Sequence, residues 1–502
     1  MVESRARGLA RNVGMAGAIS GPPQMVESRA RDLMRLVVVG GGIAGLAAAH
    51  RAVEYARERR RALTLTLLEA APRLGGTIQT ERHDGFVVEC GPDSFLSEKP
   101  WALALCKRLG VEGRLVGTND RMRRNFVVFG GRLHPLPDGF QLLAPTRFGP
   151  FLRSGLFSWR GKLRMGLDLL LPRGGGPDES LGAFVRRRLG QEALERVAQP
   201  MVAGIYTADP DELSLAATMP RFLELERKDR SIVLSMWRAA RRAPAATGAS
   251  SGARWSLFVT FADGMEDLIQ TLAARLPAES IRLKERVTEV TRQGPGWRVV
   301  TAAGSALGAD AVILAPEAHQ VARMLRNLDP ALAHLLEEIP YASSATVTFA
   351  HRRADVGHAL DGFGFVVPQV EGRPIIACTF SSVKYPGRAP GGHELLRVFM
   401  GGAMNEAVLE RSDAELVAIA RAQLAELLGV KGEPLFVRLC RYPRAMPQYQ
   451  VGHLGRVEAI EQCLRRHPGL ALVGGAYRGV GISDCVRFGE EAAVRLLDAA
   501  PA

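Results

Sequence analysis

Hydrophobic and polar positions along the chain alternate between the period of strands and that of helices. An apolar run at 36–39 leads into a glycine-rich turn at 40–45, an alanine-rich segment of helical spacing to about residue 61, and a second apolar run at 63–68. This order of strand, turn, helix and strand predicts a βαβ unit. Because the strand-to-glycine pattern returns at 470–475, we expect one domain to be assembled from separate pieces of the chain.

The rest of the chain divides into a helical and a strand-rich part. Residues 96–235 show mainly helical periodicity, alternating runs between 281 and 314 predict returning strands, and 345–402 is rich in β-formers. The predicted fold therefore combines α/β and α+β architecture. Its expected parts are a discontinuous Rossmann-like domain for the cofactor (35–95, 255–330 and 433–500), a mainly helical domain that could associate with membranes (96–254) and a mixed-sheet substrate domain (331–432).

Two segments are predicted to lie outside the packed domains. Residues 1–34 contain a near-duplication, 1–7 and 25–31, and are expected to form a disordered tail, so that Met25 or Met34 could be the functional start. This tail lacks the apolar core of a secretory signal, which argues against export. Residues 239–254 are low in complexity and predict a surface loop.

Composition and charge narrow the class of protein. At 502 residues the chain is too long for a single core, and 47% hydrophobic with 23% charged residues is typical of a globular protein. The net charge of +13 favours an anionic partner, whether lipid headgroups, carboxylates or phosphates. The six cysteines form no C-x-x-C pair and the histidines no H-x-x-x-H pattern, so we expect a reducing, cytoplasmic location and no metal site.

The first glycine turn has the G-x-G-x-x-G spacing, with Gly40, Gly42 and Gly45 between a strand and a helix. Backbone N–H groups and the helix dipole at such a turn favour a pyrophosphate. Glu69 ends the second strand, where a carboxylate would meet ribose hydroxyls. The alternative is a tight turn between packed elements with Glu69 merely solvated.

A second glycine pair favours a flavin dinucleotide over a nicotinamide one. Arg73, Gly75 and Gly76 follow Glu69 in the pattern E-x-x-x-R-x-G-G. The pair lets the chain pass close to an extended dinucleotide, and Arg73 could pair with phosphate. A helix cap followed by a turn is the alternative interpretation.

Five further motifs extend this picture over nearly the whole chain, at 85–95, 200–214, 362–368, 442–449 and 474–485. Their residues, order and spacing resemble the flavoproteins that include amine oxidases, phytoene desaturases and protoporphyrinogen oxidases. The later motifs resemble the oxygen-dependent protoporphyrinogen oxidases in particular.

The resemblance implies non-covalent FAD and assigns its contacts. Ala476 stands where amine-oxidase relatives commonly carry an acid, and Cys485 is expected to be a packed thiol. The implied contacts are Gly40, Gly41, Gly42, Ile43, Ala44 and Gly45 for the pyrophosphate, Glu69 for the ribose, Arg73 and Gly76 for adjoining groups, Gly91, Pro92 and Asp93 near the ring system, the Val287 backbone for adenine, and Gly475, Ala476, Val480, Gly481 and Ile482 along the flavin.

The resemblance also implies a tetrapyrrole site with apolar walls and cations at its rim. Val366, Ile376 and Phe399 match the walls, although each could be ordinary core. The Gly204 backbone is the implied partner of pyrrole N–H groups. Asn125 occupies the slot where relatives carry the cation for the propionates. Arg124, the candidate anchor, is one residue out of register, which on a strand would turn it to the other face unless a bulge intervenes.

The implied reaction is hydride transfer from a meso carbon of protoporphyrinogen IX to flavin N5 in three two-electron steps, with O₂ reoxidising the flavin to give H₂O₂. No catalytic side chain or general base is assigned, and Lys384 is expected to be a solvated surface lysine. Candidate partners are a second copy of the chain and ferrochelatase as recipient of the product.

Residues 151–171 mix aromatics, leucines and cations as a helix lying on a membrane surface would. This predicts a peripheral position on the cytoplasmic face of the inner membrane. An amphipathic helix that covers the protein's own core explains the pattern equally well.

Three other functions stay open from the sequence. Coproporphyrinogen III is the nearest rival substrate, and an oxidase or desaturase of amines or carotenoids is another. A non-catalytic basic protein that binds nucleic acid or membrane is the third, but the cations are dispersed and no nucleic-acid motif is present, so no nucleic-acid partner is expected.

Overall fold

A five-stranded parallel sheet forms the centre of the computed structural model, which describes residues 33–499 except 142–143, 175 and 243–255. The predicted βαβ unit joins this sheet together with the returning strands Ile281–Leu283 and Ala311–Leu314, whereas the predicted strand at 297–301 lies in a separate antiparallel sheet. Its strands, in spatial order, are Ile281–Leu283, Ala62–Glu69, Leu33–Val39, Ala311–Leu314 and Leu470–Leu472. The first strand begins at Leu33, within the predicted tail, and the rest of that tail lies outside the described residues.

Both faces of the parallel sheet are covered, which explains why its strands are almost continuously apolar. One face packs against the helices Ile43–Glu58, Pro100–Leu109, Glu266–Ala274 and Ile482–Ala499. The other face carries a three-stranded antiparallel sheet (Val287–Gln293, Gly296–Thr301 and Ala306–Ala309) and the helices Ala318–Leu325, Pro330–Glu337 and His453–Leu464.

A seven-stranded mixed sheet forms the second layer. Its strands, in spatial order, are Phe436–Pro447, Tyr341–Arg352, His393–Gly401, Ala377–Phe380, Gly364–Val366, Phe126–Phe129 and Arg132–Pro135. One face packs on the helix Asp413–Leu428, whose N-terminus is fixed by a capping box of Ser412 and Glu415. The opposite face turns towards the parallel-sheet part, since Arg397 donates to the carbonyl of Cys90 at 2.9 Å.

Two segments join this sheet although the sequence analysis placed them elsewhere. Strand Phe436–Pro447 falls in the predicted cofactor domain, and the hairpin Phe126–Pro135 falls in the predicted helical domain. The alternation of apolar residues predicts a strand but does not say which distant strand it pairs with. The division into domains stays a prediction.

The helical part is built around buried apolar side chains and one buried ion pair. Arg188 and Asp168 are fully buried, and the Arg188 Nε donates to the Asp168 carboxylate at 2.6 Å. The α-helices of this part are Phe148–Arg153, Trp159–Gly166, Leu181–Arg188, Gln191–Ala193, Gln199–Tyr206, Leu215–Thr218, Pro220–Asp229 and Ile232–Arg242. The segment 151–171 is not one helix. Ser158 caps a new helix within it by accepting from the Gly161 N–H at 3.0 Å.

Short elements complete the described chain. Small sheets are formed by Thr80–His83 with Phe86–Glu89, by Phe95–Leu96, Phe258–Phe261 and Leu115–Gly117, and by Phe140–Gln141 with Ala144–Pro145. Single helical turns occur at Glu112–Arg114, Leu167–Leu169, Leu194–Ala198, Ala278–Ser280, Arg353–Asp355, Gln369–Glu371, Ser381–Lys384 and Glu406–Glu410. Among the described residues, no helix combines the length and the apolar character that crossing a bilayer requires.

Candidate functional site

The first glycine turn and Glu69 lie together, as the sequence predicts. The Gly41 N–H donates to one Glu69 carboxylate oxygen at 2.6 Å, and the Ala71 N–H donates to the other at 2.7 Å. Segment 284–287 runs alongside, because the Glu285 N–H donates to the Glu69 carbonyl at 2.9 Å. Glu69 and the buried Val287 therefore belong to one corner of the site.

The turn leaves room for a ligand at one position. Gly42 is the N-cap of the 16-residue helix Ile43–Glu58, no side chain caps that helix, and a Cβ at Gly42 would meet nothing within 4 Å. A Cβ at Gly41, in contrast, would lie 2.5 Å from Leu74. Free N–H groups at a helix start beside open space suit an anionic phosphate, so these residues fit the diphosphate of FAD.

Arg73 has a different environment from the one expected. Its guanidinium donates to the carbonyls of Gly76 at 2.6 Å and Ile78 at 3.1 Å, so it braces the second glycine turn. That turn meets the first one, because the Gly75 N–H donates to the Gly41 carbonyl at 2.8 Å. The phosphate contact expected for Arg73 and Gly76 stays a prediction.

Helix packing brings the terminal motif, residues 474–485, close to the first glycine turn at 40–45. Helices Ile43–Glu58 and Ile482–Ala499 cross at Gly489, where a Cβ would collide with the Ala44 carbonyl and lie 3.2 Å from the Ala48 nitrogen. This close approach brings the starts of both helices, and hence residues 40–45 and 475–482, to one side of the sheet. Two helix N-termini with their positive dipole ends then face the same region.

Tyr449 holds the terminal motif in shape. Its hydroxyl donates to the Gly475 carbonyl at 2.6 Å and accepts from the Gly479 N–H at 2.8 Å. The His453 ring stacks on the Tyr449 ring with centroids 4.0 Å apart and contacts the Tyr477 carbonyl at 2.8 Å. Burial lowers the pKa of His453 to about 4, so this imidazole is neutral at physiological pH.

A second polar pair closes the turn between Val480 and Ile482. A Cβ at Gly481 would lie 3.3 Å from the carboxylate of Asp484, which pairs with Lys99 at 2.5 Å. Asp484 lies in the first turn of helix Ile482–Ala499, where a negative charge complements the helix dipole. Cys485, on the same turn, is buried, as expected for a packed thiol.

Asp93 belongs to a half-buried charged group rather than to an open loop. Its carboxylate accepts from Lys384 at 2.9 Å. Burial opposes ionisation, but the charges of Lys384 and Arg397 overcome it and lower the pKa of Asp93 to about 2. The Lys384 side chain is only 15% exposed, so the expectation of a solvated surface lysine was wrong. Sequence alone does not reveal that a distant carboxylate compensates its charge.

A neighbouring ion pair extends this charged group. Arg388 and Glu89, both almost fully buried, approach to 3.1 Å. Burial raises the pKa of Glu89, while Arg388 opposes that effect. Because buried charges persist only when they are paired, these contacts fix the segment around Gly91 and Asp93 against the mixed sheet.

The expected substrate walls lie on one face of the seven-stranded sheet. Val398 and Phe365 pack on the helix side, so alternation turns Phe399 and Val366 to the opposite face, together with Arg397. The Arg397 guanidinium lies 4.9 Å from the Phe399 ring centroid.

Gly204 and Val480 reach the same face from other parts of the chain. A Cβ at Gly204 would lie 3.8 Å from Val366, and Val366 and Val480 both pack against the core of the helical part. Ile376 is buried, and its N–H donates to the Phe399 carbonyl at 2.9 Å. The structure thus brings together Gly204, Val366, Ile376 and Phe399, and it packs Val480 against the same apolar core as Val366.

Arg124 and Asn125 lie apart from that group. Strand Phe126–Phe129 begins after them, so the strand-register argument about Arg124 does not apply. Arg124 is 63% exposed and pairs with Asp361 at 2.8 Å, and Asn125 is exposed. Because Arg124 already pairs with Asp361, it is a weaker candidate to bind the substrate propionates. The substrate contacts of Arg124 and Asn125 stay predictions.

The sequence analysis missed four side chains that support the site: Lys99, Arg397, Tyr449 and Asp484. Period-two alternation on strand His393–Gly401 places Arg397 on the face of Phe399 and could have indicated it. Tyr449 and Asp484 stand within motifs that the sequence analysis used, but their partners are distant in the chain and no local pattern predicts them.

The comparisons with known proteins agree with this geometry. The family model for flavin containing amine oxidoreductase matches residues 43–497. The chain is 36% identical over 451 residues to a coproporphyrinogen III oxidase of Bacillus subtilis, covering 89% of this chain and 94% of the relative. It is 31% identical over 460 residues to the protoporphyrinogen oxidase of Bos taurus, covering 87% and 94%.

A solved structure matches over the same extent. A crystal structure described as a protoporphyrinogen oxidase from Exiguobacterium sp. superposes with a TM-score of 0.81 at 34% identity, covering 92% of this chain and 98% of the other.

Proposed function

Because the chain belongs to the flavin-containing amine oxidoreductases, and among them to the porphyrinogen oxidases, we propose that it oxidises coproporphyrinogen III to coproporphyrin III with O₂ as final acceptor. The observation that carries this proposal is that Val480, in the predicted flavin-lining motif, and Val366, in the predicted substrate wall, pack against one apolar core. A flat apolar macrocycle requires such an apolar surface beside the cofactor.

FAD is the cofactor, and when bound it supplies the two-electron oxidation. The residues that would hold it are the helix start at Gly42 for the diphosphate, Glu69 for the ribose and the turn 475–481 for the ring system. Asp93 is a poor general base, since its pKa of about 2 keeps it ionised and its proton affinity low. The protein therefore contributes placement and exclusion of water rather than proton abstraction by Asp93.

The choice between two porphyrinogens rests on similarity and charge. The chain is 36% identical to the Bacillus subtilis relative and 31% to the Bos taurus relative, which supports coproporphyrinogen III. Four propionates also suit a chain of net charge +13 better than two do. Protoporphyrinogen IX, which the sequence analysis placed first, is the second candidate.

The substrate assignment is tested by turnover of both porphyrinogens in air, measured by porphyrin fluorescence. We expect a kcat/KM for coproporphyrinogen III about tenfold or more above that for protoporphyrinogen IX, a difference of about 1.4 kcal/mol. A reversed ratio would assign protoporphyrinogen IX instead. Turnover of neither, with amines or carotenoids oxidised in their place, would contradict both.

The substrate wall is tested with a matched pair of substitutions. Val366→Trp fills the space towards Gly204, so kcat/KM should fall at least about tenfold while the flavin absorbance per chain stays unchanged. Val370→Trp, at an exposed site four residues away, should behave as the unsubstituted protein does. Equal activity of the two variants would remove Val366 from the wall.

We also propose that the helical part docks on an anionic membrane surface. Trp159, Leu163 and Leu170 are 67%, 72% and 71% exposed, and the exposed Arg153 and Arg160 lie in the same stretch of chain. Apolar side chains beside cations suit anionic lipid headgroups. Association with a second copy, delivery of product to ferrochelatase and the cytoplasmic location remain predictions.

Liposome flotation tests this surface. With vesicles of phosphatidylglycerol and phosphatidylcholine, Trp159→Glu should reduce the floated fraction several-fold, whereas Leu435→Glu, at an exposed leucine on another part of the surface, should not. Equal flotation of the two variants would contradict the proposed orientation.

A further inference from the structure

Two cysteines 350 positions apart in the chain meet between the hairpin Thr80–Glu89 and the seven-stranded sheet. Cys90 follows the hairpin, and Cys440 lies on strand Phe436–Pro447. Arg438, Cys440 and Tyr442 alternate along that strand and share one face. Arg438 donates to the Glu81 carboxylate at 2.5 Å, and the Tyr442 hydroxyl donates to the Cys90 carbonyl. Cys440, between them, therefore faces the hairpin.

The contacts on either side of Cys440, from Arg438 to Glu81 and from Tyr442 to the Cys90 carbonyl, bring the two cysteines side by side. The Cys90 thiol donates to the Glu81 carboxylate with a sulfur-to-oxygen distance of 3.6 Å. Hydrogen bonding between the two thiols is the first cause of a raised pKa at Cys90 and of a pKa lowered to about 7 at Cys440. Cys440 is thus the more acidic thiol of the pair, and the thiolate is the nucleophilic form.

Cys440 is more exposed than Cys90, and the cysteine that attacks a peroxide must be accessible. Cys440 is half-buried and within reach of a small oxidant, whereas Cys90 is 2% exposed. Cys106, Cys378 and Cys485 are buried, and each packs in an apolar cluster. Cys463 is half-buried on helix His453–Leu464 and gives a matched control.

We propose that Cys90 and Cys440 form a peroxide-reactive dithiol. The Cys440 thiolate attacks a hydroperoxide, breaks its O–O bond and, with one proton, gives a sulfenic acid and water. The Cys90 thiol then attacks the Cys440 sulfur, forming the disulfide and releasing a second water. In total the two thiols lose two electrons and two protons, and one hydrogen peroxide becomes two waters.

The modification would act on the site through Cys90. Its carbonyl is held by Arg397 and Tyr442, and its neighbours in the chain are Glu89 and Gly91. A covalent link to Cys440 ties the segment before Asp93 to the mixed sheet. The proposal does not rest on the identity of the substrate, since the oxidant is supplied from outside.

The test uses the full-length holoprotein, treated with equimolar hydrogen peroxide, alkylated and digested for mass spectrometry. A linked peptide pair containing Cys90 and Cys440 should appear, two hydrogens lighter than the separate peptides, and should disappear with dithiothreitol. The linked peptide pair should still form in the Cys463→Ser variant and should be absent in the Cys90→Ser variant. In Cys90→Ser, Cys440 should instead be labelled by dimedone, which traps sulfenic acids.

Circular dichroism and flavin absorbance per chain establish that each variant folds. The proposal is overturned if the folded, unsubstituted protein gives no Cys90–Cys440 link while its other thiols oxidise. It is also overturned if Cys440 in Cys90→Ser reacts with peroxide no faster than Cys463 does.

Discussion

Single side chains determine the shape of the terminal flavin motif. Tyr449 bridges Gly475 and Gly479 with one hydroxyl, so Tyr449→Phe leaves a carbonyl and an N–H without their partner. We expect a loss of roughly 1–3 kcal/mol in the free energy of unfolding and weaker FAD binding. Urea unfolding and FAD titration measure the two effects. Tyr206→Phe, which removes one long bond of 3.4 Å, is the control and should change both little.

His453 makes this part of the protein sensitive to mild acid. Burial lowers its folded pKa to about 4, below the value near 6.5 of an unfolded histidine. Protonation therefore favours the unfolded chain, and the stabilisation is complete above pH ~6.5 and lost as the pH falls towards 4. Between pH ~7 and ~5 the loss should be about 2 kcal/mol.

Urea unfolding of the unsubstituted protein and of His453→Gln at these two pH values tests the effect. The difference between the two pH values should be about 2 kcal/mol smaller in the variant. The same pH dependence in both proteins would show that another group is responsible.

At the scale of one residue, the sequence predicted contacts within a motif better than contacts between motifs. Glu69 lies against the first glycine turn as its position at a strand end implied. Lys384 was misjudged because its partner, Asp93, is 291 positions away, and no local pattern reports that a lysine is buried with a carboxylate. Arg124 was judged as a strand residue, but the strand begins at Phe126.

Among the elements, the crossing of helices Ile43–Glu58 and Ile482–Ala499 controls the site, and glycine substitutions test it. Gly489→Ala places a Cβ against the Ala44 carbonyl and should cost about 1–3 kcal/mol, with weaker FAD binding. Gly455→Ala, within helix His453–Leu464, meets nothing within 4 Å and should stabilise by roughly 0.5–1 kcal/mol. Urea unfolding distinguishes them, and effects of the same sign would contradict the close helix contact.

The strands that show an apolar pattern within their own segment were predicted from the sequence. The strands at 36–39 and 63–68 and the strand-to-glycine pattern at 470–475 all entered the parallel sheet, because both of its faces are covered and its strands are mostly apolar. Strand Phe436–Pro447 pairs with Tyr341–Arg352, whose residues lie more than 80 positions away in the chain, and a local pattern does not indicate such a partner.

In the whole molecule, the candidate active site exists only where three parts meet. Val480 comes from the parallel-sheet part, Val366 from the mixed sheet and Gly204 from the helical part. The resemblance of motifs predicted that these residues share a site, which periodicity could not do. The cation that would bind the substrate carboxylates also depends on this long-range packing. Because Arg124 pairs with Asp361, other cations are better candidates for that contact.

The central claim is that a porphyrinogen reduces FAD held between the two helix starts. Anaerobic mixing of the yellow holoprotein with coproporphyrinogen III, followed by the flavin absorbance, tests it most directly. The account predicts that the oxidised flavin band bleaches on mixing and returns when air is admitted, with porphyrin fluorescence appearing in step. A flavin that stays oxidised with both coproporphyrinogen III and protoporphyrinogen IX, in a protein that binds FAD, would contradict the account.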